Sequence, residues 1–182
     1  MTTSYSSGNS SVLIRQAGPD DLPLLVSMAR ETFIDSYEHL NDPIHFWDYV
    51  DGALTEDAFQ EEMQTVGSIF YLAFYDGFPA GFCKVNLNRT NPLLPQDGPH
   101  IELERIYVQR LYKGMRVGHQ LLARAIRTGL EAGCRSLWLG VWQKNLQAIA
   151  WYERQGLRRI GETTFHMGSE VQYDWVMGME LG

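Results

Sequence analysis

Apolar residues along the chain recur with two spacings, which predict strands and helices in a definite order. Runs of alternating or continuous apolar residues predict strands, at residues 12–16, 69–75, 78–88, 101–108, 136–142, 157–167 and 171–181. Helical spacing predicts helices, within residues 22–33, 44–50, 55–63, 117–130 and 145–154. The order is a hairpin, then strand–helix–strand–helix, then a second hairpin. It predicts a single α/β (α+β) domain over residues 12–182.

The stretch from His100 to Leu122 predicts an anion site. It reads as a strand, a turn containing Gly114 and Gly118, and a long helix. Such a turn presents free backbone N–H groups and the positive end of the helix dipole to an anion. Four cationic residues lie in or beside it, namely Arg105, Arg110, Lys113 and Arg116. We therefore expect a phosphate-bearing cofactor here.

Composition narrows the class of protein. The chain has 182 residues and a net charge of −7, which argues against general nucleic-acid binding. It contains no apolar run of the roughly 20 residues that cross a membrane, and residues 1–11 read as a disordered segment without signal-peptide features. Cys83 and Cys134 lack metal-type spacing and are interpreted as buried structural thiols. A cytoplasmic protein is predicted.

Charge is distributed unevenly along the chain. Residues 31–83 contain eleven Asp or Glu and no Lys or Arg, whereas residues 105–127 contain six Lys or Arg. The first region suits a cationic ligand and the second an anionic one. The alternative for the first region is that its acids only solvate helix faces.

Two sequence blocks carry a resemblance to a known family. "LERIYV…LYKGMRVGHQLL" and "LWLGVWQKNLQAIAWYERQGL" resemble the GNAT superfamily of acetyl-CoA-dependent N-acetyltransferases. The tail "GETTFHMGSEVQYDWVMGMEL" further resembles the bacterial spermidine/spermine N-acetyltransferases of the PaiA type. The resemblance implies a mixed, mostly antiparallel seven-stranded sheet flanked by about four helices. Its fourth and fifth strands splay apart, and acetyl-CoA lies between them.

The same resemblance assigns residues to the cofactor. The backbone of the fourth strand would bind pantetheine, and the N–H of Val108 would stabilise the oxyanion. Arg116 stands where the family pattern Gln/Arg-x-x-Gly-x-Gly/Ala has its middle glycine, and could add a charge to the pyrophosphate. The implied cofactor-binding residues are Ile106, Tyr107, Val108, Lys113, Gly114, Met115, Arg116, Val117, Gly118, His119, Asn145, Tyr152 and Arg154.

Two residues are predicted to move protons, and no metal is needed. The resemblance implies that Tyr152 protonates the departing thiolate. A protonated alkylamine must also lose a proton before it attacks, and Glu104 on the fourth strand is the favoured base. Glu104 could equally be an exposed carboxylate or a partner of Arg105 or Arg110. His100 is a weaker candidate for the base.

The acceptor is predicted to be a small cationic amine. In GNAT folds the first helices form one wall of the acceptor site. In this chain aromatic and acidic residues are interleaved along the predicted first helices. Carboxylates beside aromatic faces suit polyamines such as spermidine or spermine. The predicted substrate-binding residues are Phe33, Tyr37, Glu38 and Glu102. A protein or peptide amine as acceptor and a non-catalytic acyl-CoA-binding module remain alternatives. We expect a monomer or homodimer.

Overall fold

The elements of the fold follow the predicted order closely. The computed structural model describes residues 11–95 and 98–182, so the predicted disordered segment 1–11 lies, apart from Ser11, outside the described residues. The strands are β1 Val12–Gln16, β2 Ser68–Tyr75, β3 Phe78–Leu87, β4 His100–Val108, β5 Ser136–Trp142, β6 Arg158–Met167 and β7 Glu170–Glu180. The helices are α1 Leu22–Tyr37, α2 Pro43–Ala53, α3 Glu56–Gln64, α4 Val117–Glu131 and α5 Leu146–Arg154.

All seven strands form one sheet in the order β1-β2-β3-β4-β5-β7-β6. Its one parallel pair within the described residues is β4 with β5, joined through α4. These two strands pair only where His100–Glu102 lie beside Ser136–Trp138. Beyond Glu102 they diverge, because β4 runs on to Val108 and β5 to Trp142 without further pairing. The predicted mixed sheet with splayed fourth and fifth strands is confirmed.

Alternate residues of β2 contribute to two separate cores on the two faces of the sheet. On β2, Phe70 and Leu72 face a core built with α1, α2 and α3, whereas Tyr71 and Ala73 face a core built with α4 and α5. Cys83 and Cys134 are both buried and free, as predicted. Among the described residues no helix is long and apolar enough to cross a membrane.

Candidate functional site

A cavity of about 330 Å³ opens on the α1–α3 side of the sheet, beside the gap between β4 and β5. Residues from α1, α2 and four strands line it, and most are aromatic or acidic. The lining residues are Phe33, Tyr37, Tyr49, Glu102, Glu104, Arg105, Tyr107, Trp138, Gly140, Trp142, Thr163, Thr164, Phe165, Met167, Gln172 and Asp174. The predicted substrate residues Phe33, Tyr37 and Glu102 therefore meet in one cavity.

A bulge in β4 decides which of its side chains reach this cavity. Lys84 of β3 lies opposite Arg105, but the next residue, Val85, lies opposite Leu103. Glu104 is thus an extra residue on β4, which resets the alternation of side chains. As a result Glu104 and Arg105 both border the cavity. A strict two-residue period in the sequence does not reveal this.

The open edge of β4 presents backbone groups to the gap. Gln109 N–H donates to the Ala80 carbonyl of β3 at 2.9 Å. Because backbone groups alternate along a strand, the N–H groups of Ile106 and Val108 point the other way, toward the gap. The backbone of Tyr107 points toward β3 instead of the gap. Its carbonyl oxygen packs against Gly81, and a Cβ built on Gly81 would stand only 2.5 Å from that oxygen. Tyr107 contributes its ring to the cavity instead of its backbone to the gap.

The turn before α4 has the shape of an anion site. The first helical hydrogen bond runs from Gln120 N–H to the Arg116 carbonyl at 3.1 Å. The N–H groups of Val117, Gly118 and His119 therefore precede the helical ladder and are free to bind a ligand. Gly118 packs close to α5, and a Cβ built there meets Trp151 at 3.5 Å.

Arg116 adopts the left-handed conformation that the family pattern assigns to a glycine. Its φ is +61°, and Gly114 earlier in the turn has φ +85°. Lys113 and Arg116 are exposed at this surface, as is Met115. The prediction that Arg105 belongs to the same cationic group is wrong, because its guanidinium points into the cavity side of the sheet and binds Glu62. A phosphate-bearing group fits the turn without Arg105.

Asn145 joins α5 to the first helix. Its Oδ1 accepts a hydrogen bond from Ala148 N–H at 3.1 Å, which is the predicted helix cap. Its Nδ2 donates to the Tyr37 hydroxyl of α1, also at 3.1 Å. Tyr152 is buried, and burial raises its pKa far above the usual value, with a smaller contribution from Tyr37. Arg154 ends α5 on the exposed surface.

A buried ion-pair network occupies the β4 side of the cavity. The Lys84 ammonium lies 2.6 Å from Glu104 and 2.9 Å from Glu62. Arg105 donates to Glu62 at 2.9 Å and lies 3.4 Å from Glu104. Asn86 adds a third donor to Glu104 at 2.6 Å. Although burial alone opposes it, these cations and donors lower the pKa of Glu104. Glu104 is thus engaged as the partner of Arg105, one of the predicted alternatives.

Asp174 of β7, on the opposite wall, was not predicted from the sequence. Its Oδ1 is buried and has no hydrogen-bond partner within the described residues. Burial raises the pKa of Asp174 from its ordinary 3.8 to about 6. The surrounding sequence, Tyr173-Asp174-Trp175, reads only as a strand with one acidic position. No local signal distinguishes this carboxylate from a solvated one.

Two predicted site residues lie elsewhere. Glu38 begins a short 3-10 helix after α1, is exposed and does not border the cavity. Its position therefore does not support the predicted substrate contact. His100 is buried at the start of β4, with its ring nitrogens 2.6 Å from Ser136 Oγ and 2.8 Å from the Pro95 carbonyl. Both nitrogens have structural partners away from the cavity.

Three known proteins place this geometry in context. An uncharacterised N-acetyltransferase encoded in the pepI 3′ region of Lactobacillus delbrueckii subsp. lactis is 33% identical over 93% of this chain and 98% of its own length. The spermine/spermidine N(1)-acetyltransferase of Bacillus subtilis is 27% identical over 51% of this chain and 61% of its own length. The PaiA N-acetyltransferase of Thermoplasma acidophilum, solved with coenzyme A, superposes with a TM-score of 0.73 at 20% identity, covering 93% of this chain and 99% of the other.

The family profile described as "Acetyltransferase (GNAT) family" matches residues 27–157, which include the turn before α4, β5 and α5. That span, together with the relative 33% identical over nearly the whole chain, confirms the predicted family, the acyltransferase class and acetyl-CoA as the acyl donor. The chain belongs to the GNAT family of N-acetyltransferases.

Proposed function

We propose that this enzyme transfers an acetyl group from acetyl-CoA to a primary amine of a small cationic acceptor, and that the acceptor is a polyamine such as spermidine or spermine. The observation that carries the proposal is the cavity beside the β4–β5 gap. Three carboxylates border it against one guanidinium, which is itself bound to Glu62 and Glu104. The spermine/spermidine acetyltransferase of Bacillus subtilis among the relatives supports the same acceptor class.

On the donor side, three features fit coenzyme A. The N–H groups at the start of α4 and the exposed Lys113 and Arg116 suit its diphosphate. The outward N–H groups of Ile106 and Val108 suit its pantetheine arm, and Val108 is the proposed oxyanion donor. When bound, acetyl-CoA supplies the acyl group as a thioester. Asn145 donates to the hydroxyl of Tyr37, which lines the cavity.

Tyr152 is proposed as the acid that protonates the leaving sulfur. Burial keeps its hydroxyl protonated at neutral pH, which is the state that a proton donor requires. Electrostatic coupling links the pKa of Tyr152 with those of Tyr37 and Tyr107, which line the cavity. Tyr152 itself packs in the core with α4, and we propose that its hydroxyl faces the β4–β5 gap.

On the acceptor side, the cavity is long enough for an extended polycation. Trp138, Gly140 and Trp142 line it along one face of β5, and this strand advances about 13 Å over the four residues from Trp138 to Trp142, at roughly 3.3 Å per residue. Glu102 pairs with the Trp138 end and Asp174 with the Trp142 end. Aromatic faces lie between the two carboxylates, and such faces attract ammonium groups.

A thiol-release assay with acetyl-CoA tests the acceptor class. We expect turnover with spermidine and spermine to exceed that with monoamines, amino acids and peptides. A response to peptides alone would contradict the polyamine assignment while leaving the family intact, and no response to any amine would contradict the transferase function.

A Glu102→Gln variant sharpens this assay. If Glu102 binds the distal ammonium, the substitution raises KM for spermidine about tenfold and leaves the kinetics with a short monoamine unchanged. Arg89→Gln is the matched control, because the exposed Arg89 lies 3.6 Å from Glu102 on the solvent side. An equal loss with spermidine and the monoamine would show that Glu102 does not contact the distal ammonium.

A further inference from the structure

We propose that Asp174 is the general base of this enzyme, accepting the proton that the acceptor ammonium must lose before its nitrogen attacks. The inference rests on the proposed amine acetyltransferase function and assigns its missing base. It replaces Glu104, which the strand pattern favours.

The position of Asp174 relative to Tyr37 supports its assignment as the base. Asp174 lies opposite Trp142 of β5 and Thr163 of β6, at the end of β5 where the gap to β4 is open. The carboxylate acts electrostatically on the Tyr37 hydroxyl, which Asn145 holds at 3.1 Å. Tyr37 in turn contributes to the raised pKa of Tyr152, the proposed acid. Asp174 therefore borders the end of the cavity at which Tyr37 and Trp142 lie.

A carboxylate oxygen of Asp174 without a hydrogen-bond partner also supports the assignment. Oδ1 is buried without a hydrogen-bond partner in the described part of the chain, although it belongs to a residue that lines the cavity. The other oxygen, Oδ2, lies close to Gly140 of β5, where an added Cβ would stand 3.4 Å from it. An unpaired buried carboxylate oxygen is costly and is rarely retained without a ligand or a reaction that uses it.

Several polar and charged groups face Asp174, but none of them forms an ion pair with its carboxylate in the described part of the chain. Tyr37 approaches from α1, while Thr163 and Thr164 approach from β6. Lys144, on the loop after β5, lies 5.4 Å above the Trp142 ring. Across the cavity, on β4, are Glu102, Glu104 and Arg105. Burial alone raises the pKa of Asp174 to about 6, and no ion pair within the described residues opposes it.

The competing carboxylates are less suited to accept a proton. Glu104 already accepts from Lys84 at 2.6 Å and from Asn86 at 2.6 Å, and its pKa is lowered. Burial also raises the pKa of Glu102, but this carboxylate accepts from Asn86 at 2.8 Å and lies beside Trp138, where β4 and β5 are still paired. A base works best when its pKa lies near the working pH, which favours Asp174 over Glu104.

Two residues, Asp174 and Tyr152, account for the protons that move in the reaction. Asp174 accepts one proton from the ammonium, which leaves a neutral amine. The amine nitrogen forms the C–N bond while the thioester C–S bond breaks. Tyr152 gives its proton to the leaving sulfur and regains one from the new amide nitrogen. The proton on Asp174 passes to solvent before the next turnover, so one proton is released per acetyl group transferred.

The test is the pH profile of kcat/KM for spermidine in the wild type and in Asp174→Asn. The wild-type rate falls as the pH drops through about 6, because Asp174 must be ionised to accept a proton. We expect Asp174→Asn to lose about 100-fold or more at pH 7.5 and to lack this acidic limb. Its rate should instead rise about tenfold per pH unit up to the amine pKa, as the neutral amine becomes available.

Glu104→Gln is the matched control and should keep the acidic limb. Thermal unfolding and coenzyme A binding check that Asp174→Asn folds and binds its donor. An unchanged profile in Asp174→Asn, or a loss that is the same at every pH, overturns the assignment of Asp174 while the transferase function stands. Failure of the wild type to acetylate any amine overturns the proposed function and this inference with it.

Discussion

Glu104 and Asp174 border the same cavity from opposite walls and have opposite surroundings. Glu104 lies within reach of Lys84, Arg105 and Asn86, and these partners lower its pKa. Asp174 has a buried oxygen with no partner in the described chain, and burial raises its pKa to about 6. The two carboxylates are chemically similar side chains, so their environments alone set them apart.

The comparison teaches that a carboxylate in a cavity can stabilise structure or take part in chemistry, and that its partners decide which. On the β4 wall the charges pair with one another, because Lys84 and Arg105 form ion pairs with Glu62 and Glu104. On the β7 wall, Asp174 Oδ1 has no hydrogen-bond partner among the described residues. Four substitutions test this contrast, beginning with the largest expected effect.

Lys84→Met should destabilise the fold by about 3 kcal/mol. Lys84 is almost fully buried between two carboxylates, and its loss leaves Glu62 and Glu104 with only Arg105 for charge balance. Urea unfolding measures the difference. Arg89→Met is the control, because Arg89 is exposed and its pairing with Glu102 is worth less than about 1 kcal/mol. Equal stability of wild type and Lys84→Met would show that the β4 network does not stabilise the fold.

Tyr152→Phe should reduce kcat by about 100-fold and leave coenzyme A affinity unchanged. The substitution removes only the hydroxyl from a buried ring, so the packing against Trp151 is retained. Stopped-flow turnover and calorimetric titration with coenzyme A separate the two quantities. A normal kcat would show that Tyr152 is not the proton donor. It would also weaken the inference that the acceptor amine reacts near Asp174.

Asp174→Asn should make the protein more stable at pH 8 by about 1 kcal/mol, after a shift of about two pKa units is discounted for solvent screening. The folded-state pKa of about 6 exceeds the ordinary 3.8, so the folded protein holds the proton more tightly. Stability contributed by Asp174 is therefore present below pH 4 and is lost as the pH rises through 6. Unfolding free energies of both proteins should converge at pH 4, and a constant difference would contradict the unpaired state of Asp174.

Arg116→Gly tests the donor side separately and has the smallest expected effect. Glycine tolerates the left-handed φ of +61° at this position, but it makes the unfolded chain more flexible, so stability should change by less than about 1 kcal/mol. Loss of the cation should weaken coenzyme A binding a fewfold. Lys113→Ala is the matched control, since it removes a neighbouring exposed cation without relieving a left-handed residue. A change in the acidic limb of the pH profile would contradict the separation of donor and acceptor sites.

Local signals in the sequence predicted much of the fold and part of the site. The bounds of β1 and β5 match the predicted residues, because their apolar runs are bordered by turn residues. Asn145 caps α5 as predicted, since capping needs only residues three apart. The turn before α4 was found in the same way, from glycines and cations close together in the chain.

The sequence alone determined the order of the elements, the family and the turn before α4, because each is carried by contiguous stretches of the chain. Only the tertiary structure decided the roles of the acids. The bulge at Glu104 depends on strand register, and its pairing with Lys84 joins residues 20 positions apart. Asp174 reaches the cavity because β7 lies between β5 and β6. Charge effects act through space, so a carboxylate's pKa follows from the folded surroundings and not from its sequence neighbours.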